Sequence, residues 1–248
     1  MKHSRVSLPL LGLGLATLLG GCNWFHARDN MNNGVRAFRE TSYAAAAEYF
    51  QAALEFDPDV PNGELYLGMS YSQQFIPGLA TPENDRFAEL AIETFERVLE
   101  KEPLNATAIA AMASIYQETG ELERAREYYV LQTQASPDDP VGFYSVGSIN
   151  WYILNAVEKT DEERMALIGE AQEHLDRALE LDPTYVDAAV YKNLQYRQEA
   201  GLIPEDAEDE EQLARRGELI ALADEWYDKA LAMREENAAR DAQGLAVE

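Results

Sequence analysis

A short pattern that recurs five times constrains the fold of this chain more than any other feature of the sequence. Each copy starts with an alanine, has a large residue four positions later, and has a third position three residues further on. The copies start at Ala46, Ala91, Ala125, Ala171 and Ala223. Spacings of four and three residues place side chains on one side of an α-helix. Each copy therefore predicts a helix with one buried stripe.

A second element follows four of the copies. A proline lies twelve residues after the alanine, where it would end the helix, at Pro58, Pro103, Pro137 and Pro183. Ten residues after each proline comes a residue that is small in three cases: Gly68, Ala113, Gly147 and Asn193. A small residue lets two helices approach closely, and the residue three positions later, often tyrosine, fills the space beside it. Pairs of packed helices are the predicted unit.

Together these residues resemble the tetratricopeptide repeat, which has a small residue and a tyrosine on its first helix and the alanine pattern on its second. The resemblance implies an all-α protein, an α-solenoid (right-handed superhelix) of about five helix-turn-helix repeats. The repeats would span about 27–60, 61–105, 106–139, 140–185 and 186–237. Val98 and Gln132 depart from the family's alanine, Glu235 replaces the last proline, and Gly120 is the only glycine at the usual turn between the two helices.

The repeats differ in length. Successive pattern alanines are 45, 34, 46 and 52 residues apart, and 34 is the ordinary period, so repeats two, four and five carry insertions between their helices. Thr81-Pro82 reads as a helix start, Thr160 with Glu163 as a capping box, and the acidic stretch 203–211 as a helix N-terminus. The insertions therefore predict lengthened hairpins.

The N-terminus resembles the export signal of a bacterial lipoprotein. Lys2 and Arg5 precede an apolar run that is too short to span a bilayer, and Leu-Gly-Gly-Cys then ends at Cys22, the only cysteine. This implies a signal peptide over 1–21, lipidation of Cys22, a tether over 22–28 and a repeat domain over 29–237. Asn23 favours the outer membrane, facing the periplasm. Trp24 and Phe25 would either enter the membrane interface or pack on the first repeat.

The chain is strongly acidic. It has 45 acidic and 20 basic residues, for a formal net charge of −25. This charge disfavours nucleic acid as a partner and allows a basic protein, although a solvated surface is the favoured explanation, because the helices need a polar outer face.

The last predicted helix, about 208–236, has two apolar stripes. One contains Leu219, Ala223 and Trp226, and the other contains Tyr227 and Leu231. The second stripe would either pack on the preceding helix or bind a partner, such as a second copy in a homodimer. The tail 238–248 is expected to fray.

No catalytic or metal-binding pattern is present in the sequence. His174 lies on a helix without other histidines near it, and no cysteine cluster, glycine-rich phosphate loop or nucleophile elbow occurs. The sequence therefore predicts no enzyme and no cofactor. A solute or cation site in the acidic insertions is the alternative to protein binding.

The resemblance implies a partner-binding groove lined by the first helix of each repeat. The family's groove positions correspond to mostly apolar and aromatic residues: Met31, Val35, Phe38, Arg39, Leu65, Met69, Gln73, Tyr144, Ser148, Trp151, Tyr152, Val190, Leu194 and Arg197. Such a groove suits an amphipathic helix or an extended peptide of an envelope protein. The family's carboxylate-binding set, which needs Lys or Arg at two of the groove positions and Asn at a third, is missing, because those three positions hold no lysine or asparagine and arginine only at Arg39. The function expected is a non-catalytic adaptor at the bacterial envelope.

Overall fold

The computed structural model describes residues 12–242, with side chains from residue 23 onward, and this range is α-helical without strands. Its helices are α1 (Gly12–Arg39), α2 (Tyr43–Phe56), α3 (Gly63–Ser72), α4 (Pro82–Lys101), α5 (Ala106–Glu118), α6 (Leu122–Ala135), α7 (Pro140–Ala156), α8 (Asp161–Leu181), α9 (Val186–Ala200) and α10 (Glu210–Ala242). They form two compact units that divide after Pro103. Unit 1 contains α1 to α4, and unit 2 contains α5 to α10. The all-α class is confirmed.

Consecutive helices pack in pairs, as the recurring pattern predicts. α1 packs on α2 and α3 on α4 in unit 1, while α5, α7 and α9 pack on α6, α8 and α10 in unit 2. All five pattern alanines are fully buried, and so are Phe50, Phe95 and Leu175 four residues later. The fifth copy of the pattern, on α10, departs from the prediction, because its large residue Tyr227 is 54% exposed. No helix follows α10 in the described chain to cover that side.

Glycine on the first helix of a pair meets the large residue of the second helix, which explains the close approach. A Cβ atom built on Gly68 would lie 2.8 Å from Phe95, and one on Gly147 would lie 2.4 Å from the Cγ of Leu175. Asn150, which replaces the usual tyrosine, is buried and donates to the Leu167 carbonyl at 3.0 Å and to Glu170 at 2.8 Å. It thereby fills the same space with hydrogen bonds.

The insertions lengthen the second helix of a pair, and their predicted caps are present. Thr81 accepts from the amide of Asn84 at the start of α4, with proline in the first turn. Thr160 and Glu163 form a capping box, so that α8 begins at Asp161. The second helices of repeats two, four and five have 20, 21 and 33 residues, compared with 14 in α2 and α6. The prediction of lengthened hairpins is confirmed within each unit.

Helices run past both expected ends of the repeat domain. Residues 22–28 lie within α1, where no glycine or proline interrupts them and Ala27 is buried. α10 continues to Ala242, past the expected start of the tail, since residues 238–242 are mostly good helix formers. Signal residues 1–11, the end of the tail 243–248 and the side chain of Cys22 lie outside the described part.

Two sets of apolar side chains, for which the sequence allowed either internal packing or exposure, are exposed. Trp24 is 52% and Phe25 is 70% exposed, so neither is packed into the first repeat. Tyr227 and Leu231 on α10 are also exposed, so these two side chains are not covered by α9. Among the described residues, no helix is both long and apolar enough to cross a membrane.

Candidate functional site

Five aromatic side chains come together on α7 and α9 of unit 2, and we call them the aromatic cluster: Tyr144, Trp151, Tyr152, Tyr185 and Tyr191. The ring centroids of Tyr144 lie 5.0 Å from Tyr185 and 5.6 Å from Tyr191. Trp151 lies 5.3 Å from Tyr152 and 6.0 Å from Tyr191. All are half-buried except Tyr152, which is 41% exposed. The cluster is thus a continuous aromatic surface that is open to solvent on one side.

Helical spacing and the core beneath position these rings. Tyr144, Ser148 and Trp151 are four and three residues apart and share one side of α7. Tyr191 occupies the facing position on α9, and Tyr185 precedes the first turn of that helix. Tyr144, Tyr185 and Tyr191 pack on the buried residues Leu175, Ala178 and Ala188, which hold the inner edge of the cluster.

The tyrosine hydroxyls of this surface are protonated at neutral pH. Burial raises the pKa of Tyr144, Tyr185 and Tyr191, and the carboxylate of Asp187 raises all three further. Burial, followed by the charge of Glu118, also raises the pKa of nearby Tyr129 to about 12. Neutral phenols can donate as well as accept hydrogen bonds. The surface therefore offers ring faces together with polar hydrogen-bonding groups.

The charges around the cluster are negative. Asp139, Asp182 and Asp187 all raise the pKa of Tyr185, after burial and the neighbouring Tyr144. Asp139 caps α7 by accepting from the Val141 amide, and Asp182 accepts from Thr184. Asp187 has no hydrogen bond or ion pair within the described residues. It is therefore the carboxylate of this group that is available to another molecule.

The cations of α9 are paired with carboxylates other than Asp187. α7 contains no charged residue. On α9, Lys192 pairs with Asp176, and Arg197 pairs with Asp224 at 2.8 Å. Neither side chain neutralises the carboxylate of Asp187.

The sequence predicted part of this site. Tyr144, Ser148, Trp151 and Tyr152 lie together on α7, where Ser148 is buried and donates to the carbonyl of Ser145. On α9, Val190 and Leu194 are half-buried and Arg197 is exposed. Tyr185, Tyr191 and Asp187 were missed. Asp187 was detectable, because it lies three residues before Val190 and so shares its helix side, whereas Tyr185 lies before the helix begins.

The predicted groove residues of unit 1 form a separate surface. Met31, Val35 and Phe38 lie along one side of α1 and are half-buried, as are Leu65 and Met69 on α3, while Arg39 and Gln73 are exposed. Phe38 lies 6.3 Å from Tyr66 of α3 and 5.2 Å from Tyr43. This surface is aromatic near Phe38, and the last turn of α1 beside it carries Arg36 and Arg39.

His174 and the acidic insertion make local intramolecular contacts. The ring nitrogen Nδ1 of His174 lies 2.9 Å from the carbonyl oxygen of Glu170 in its own helix, and the ring lies 6.0 Å from Phe143. In the acidic insertion, Asp209 accepts from the Glu211 amide and Glu205 pairs with Arg216. Across the described residues, no group of three or more histidine, cysteine or acidic side chains is placed to hold a metal ion.

Comparisons with known proteins agree with this fold. Residues 88–142 match the family model of the tetratricopeptide repeat. The crystal structure of MamA protein has a TM-score of 0.62 and 17% identity, over 90% of this chain and 98% of that chain. A tetratricopeptide repeat protein from Parabacteroides merdae has a TM-score of 0.55 and 18% identity, over 85% and 78%. No curated protein matches the sequence.

A third solved structure is YrrB, described as a tetratricopeptide-repeat protein with an unusual peptide-binding site. Its TM-score is 0.55 at 14% identity, over 83% of this chain and 90% of that chain. At such identities the likeness shows the fold. Residues 88–142 thus match the tetratricopeptide repeat, and the described chain has the all-α fold of tetratricopeptide-repeat proteins, which generally mediate protein–protein interactions.

Proposed function

We propose that this protein is a non-catalytic adaptor of the bacterial envelope that binds an amphipathic helix or an extended peptide of an envelope protein. The observation that carries the proposal is the aromatic cluster of unit 2. Half-buried aromatic rings on a rigid helical scaffold provide a large contact area at a small cost in conformational entropy, which is typical of binding hot spots. YrrB, with the same fold, is described as having a peptide-binding site.

The mode of binding follows from the surface. The side of α7 that carries Tyr144 and Trp151 is apolar and free of charge, so an apolar stripe of a partner can be desolvated against it at little cost. The protonated hydroxyls of Tyr144 and Tyr191 can then bond the polar backbone at the edge of a bound segment. Assembly or regulation of an envelope complex is the role that such an adaptor would serve.

The envelope location rests on the N-terminal sequence. Cleavage before Cys22 and its acylation would hold the protein on the membrane, with the repeats facing the periplasm. Exposed Trp24 and Phe25, a few residues beyond the lipid, are suited to the membrane interface. Cys22→Ser should abolish incorporation of labelled palmitate and shift the protein out of the membrane fraction. Unchanged labelling would contradict the proposed anchor.

The groove is tested by photo-crosslinking in native membranes. A benzophenone amino acid replaces Tyr152, which is the most exposed ring of the cluster, and the captured species is identified by mass spectrometry. Tyr49 on α2 of unit 1 is a matched control, because it is also an exposed tyrosine, 38% accessible, outside the predicted groove. One envelope protein captured from position 152 and not from 49 supports the proposal. No specific product from position 152 contradicts it.

The same experiment tests the exposed stripe of α10. A crosslinker at Tyr227 that captures a second copy of the chain would support a homodimer through the last helix. Capture of monomer only, at protein concentrations where position 152 captures its partner, would contradict such a dimer.

A further inference from the structure

We propose that the end of the aromatic cluster next to Asp187 receives an arginine or lysine side chain, so that the partner segment is apolar and basic. This inference rests on the proposed peptide-binding function and adds the chemical identity of one anchor residue. It is carried by three features of unit 2: the arrangement of the rings, the position of Asp187, and the pairing of the nearby cations.

The rings pack edge to face or tilted instead of as a single stack, so that ring faces in several orientations border one surface. The planes of Tyr144 and Tyr191 meet at 79°, and those of Trp151 and Tyr191 meet at 87°. Tyr185 is tilted by 45° to Tyr144 on the other side. Aromatic rings in several orientations are used in cages that bind cations, because a positive charge is attracted to the face of each ring.

The carboxylate of Asp187 lies at one end of the aromatic cluster. Asp187 lies one helical turn before Tyr191 on α9, so both side chains lie on the same side of the helix. Tyr185 lies two residues before Asp187, and the negative charge of Asp187 contributes, after burial, to the raised pKa of Tyr144, Tyr185 and Tyr191. The positive end of the α9 dipole favours negative charge at this first turn. This end of the aromatic cluster therefore combines ring faces with an exposed carboxylate.

The charge is not balanced from within the described chain. Asp139 and Asp182 are engaged in caps, whereas Asp187 has no such contact. Lys192 and Arg197 of the same helix are paired with Asp176 and Asp224. A cation from a partner would thus meet one carboxylate and several ring faces without displacing an internal ion pair. An acidic residue at the same place would be repelled.

Arginine fits this end better than lysine. Its planar guanidinium can stack on a tyrosine ring and still donate two parallel hydrogen bonds to a carboxylate. A guanidinium is also more weakly hydrated than an ammonium group. The overall formal charge of −25 would also speed the approach of a basic segment.

Selection from a random dodecapeptide library displayed on phage tests the inference with the full-length protein. The targets are wild type, Asp187→Asn, and Asp228→Asn as the matched control. Asp228 is an exposed aspartate on α10, so its loss removes the same charge away from the cluster. Tyr152→Ala serves as the target with a damaged groove. Circular dichroism establishes that each variant is folded.

The expected result is that wild type and Asp228→Asn enrich apolar peptides containing arginine or lysine, and that Asp187→Asn loses this preference. A synthetic peptide of the enriched sequence should bind Asp187→Asn about tenfold more weakly, in line with the loss of one charge-assisted hydrogen bond. Replacement of its basic residue by glutamine should have the same effect on wild type and little effect on Asp187→Asn.

The other outcomes separate the two proposals. Enrichment of apolar peptides without basic residues, at equal affinity for wild type and Asp187→Asn, would overturn the cation site and leave the peptide groove in place. No enrichment on wild type over Tyr152→Ala would contradict both the groove and the anchor. Enrichment of acidic peptides would overturn the cation site directly.

Discussion

Replacement of Gly147 by alanine tests the close contact between α7 and α8, on which the position of the aromatic cluster depends. The added Cβ would lie 2.4, 2.6 and 3.0 Å from three side-chain atoms of Leu175, whereas ordinary contacts are at 3.4–4 Å. Leu175 is fully buried and packs on Ala178 and Ala188, so it has no free space to enter. The helices must therefore separate or Leu175 must leave its rotamer.

The magnitude follows from two opposing terms. Overpacking of a filled core costs about 1–3 kcal/mol. Alanine in place of glycine inside a helix gains about 0.5–1 kcal/mol. The free energy of unfolding should therefore fall by up to about 2.5 kcal/mol. Gly169→Ala in α8 is the matched control, because a Cβ there meets no atom within 4 Å. This control should gain stability by about 0.5–1 kcal/mol.

Urea unfolding, followed by far-ultraviolet circular dichroism, measures both variants. Since both carry the same helix gain, the difference between them is the packing term, about 1–3 kcal/mol. Leu175→Ala added to Gly147→Ala should cost less than the sum of the single changes, because the smaller side chain removes the clash. Equal stability of Gly147→Ala and Gly169→Ala would refute the account of close helix contact.

Three further predictions concern polar contacts. Asn84→Ala should lower the free energy of unfolding by about 1–3 kcal/mol, because Asn84 is buried and forms hydrogen bonds with the backbone of Ile76 and Leu79. Urea unfolding measures this loss, and a value below about 0.5 kcal/mol would contradict the prediction. Thr160→Ala should cost about 1 kcal/mol by removing the capping box of α8, whereas Thr160→Ser should restore most of it in the same assay. Burial alone would raise the pKa of Glu170, but hydrogen bonds from Arg126 and Asn150 outweigh it and lower the pKa. Because the folded pKa lies below the unfolded one, the stabilisation by ionised Glu170 is complete above about pH 4.3 and is lost as pH falls through the folded pKa. The difference in unfolding free energy between wild type and Glu170→Gln should therefore shrink on acidification from pH 7. A difference that stays constant would contradict this.

Local patterns were sufficient to predict the helix pairs. The alanine stripe, the caps at Thr81 and Thr160 and the turn at Gly120, whose φ is 82°, each depend on residues within a few positions of one another. A helical spacing or a capping residue predicts the same local structure wherever it occurs, so these features could be predicted without knowing which helices pack against each other. That residues 22–28 continue α1 was missed for the opposite reason, because the burial of Ala27 depends on another helix.

The candidate site could be predicted only in part. The side of α7 that carries Tyr144, Trp151 and Tyr152 follows from helical spacing and the repeat resemblance. That Tyr185 and Tyr191 close the cluster depends on how α9 packs against α7, about 40 residues later. Nothing in the spacing of α9 alone distinguishes Tyr191 from Tyr196, which lies 5.7 Å from the ammonium of Lys192 on another side.

The sequence by itself determined the class of this protein, because an apolar stripe repeated at helical period can be buried only by stacking further helices of the same kind. Only the tertiary structure decided which charges are available. Arg126 and Glu170 are 44 residues apart yet bond at 2.6 Å, and Arg197 is held by Asp224, whereas Asp187 is left beside the tyrosines. Pairing of charges depends on distance in space, which falls outside any local pattern, and this pairing is what gives the aromatic cluster its negative end.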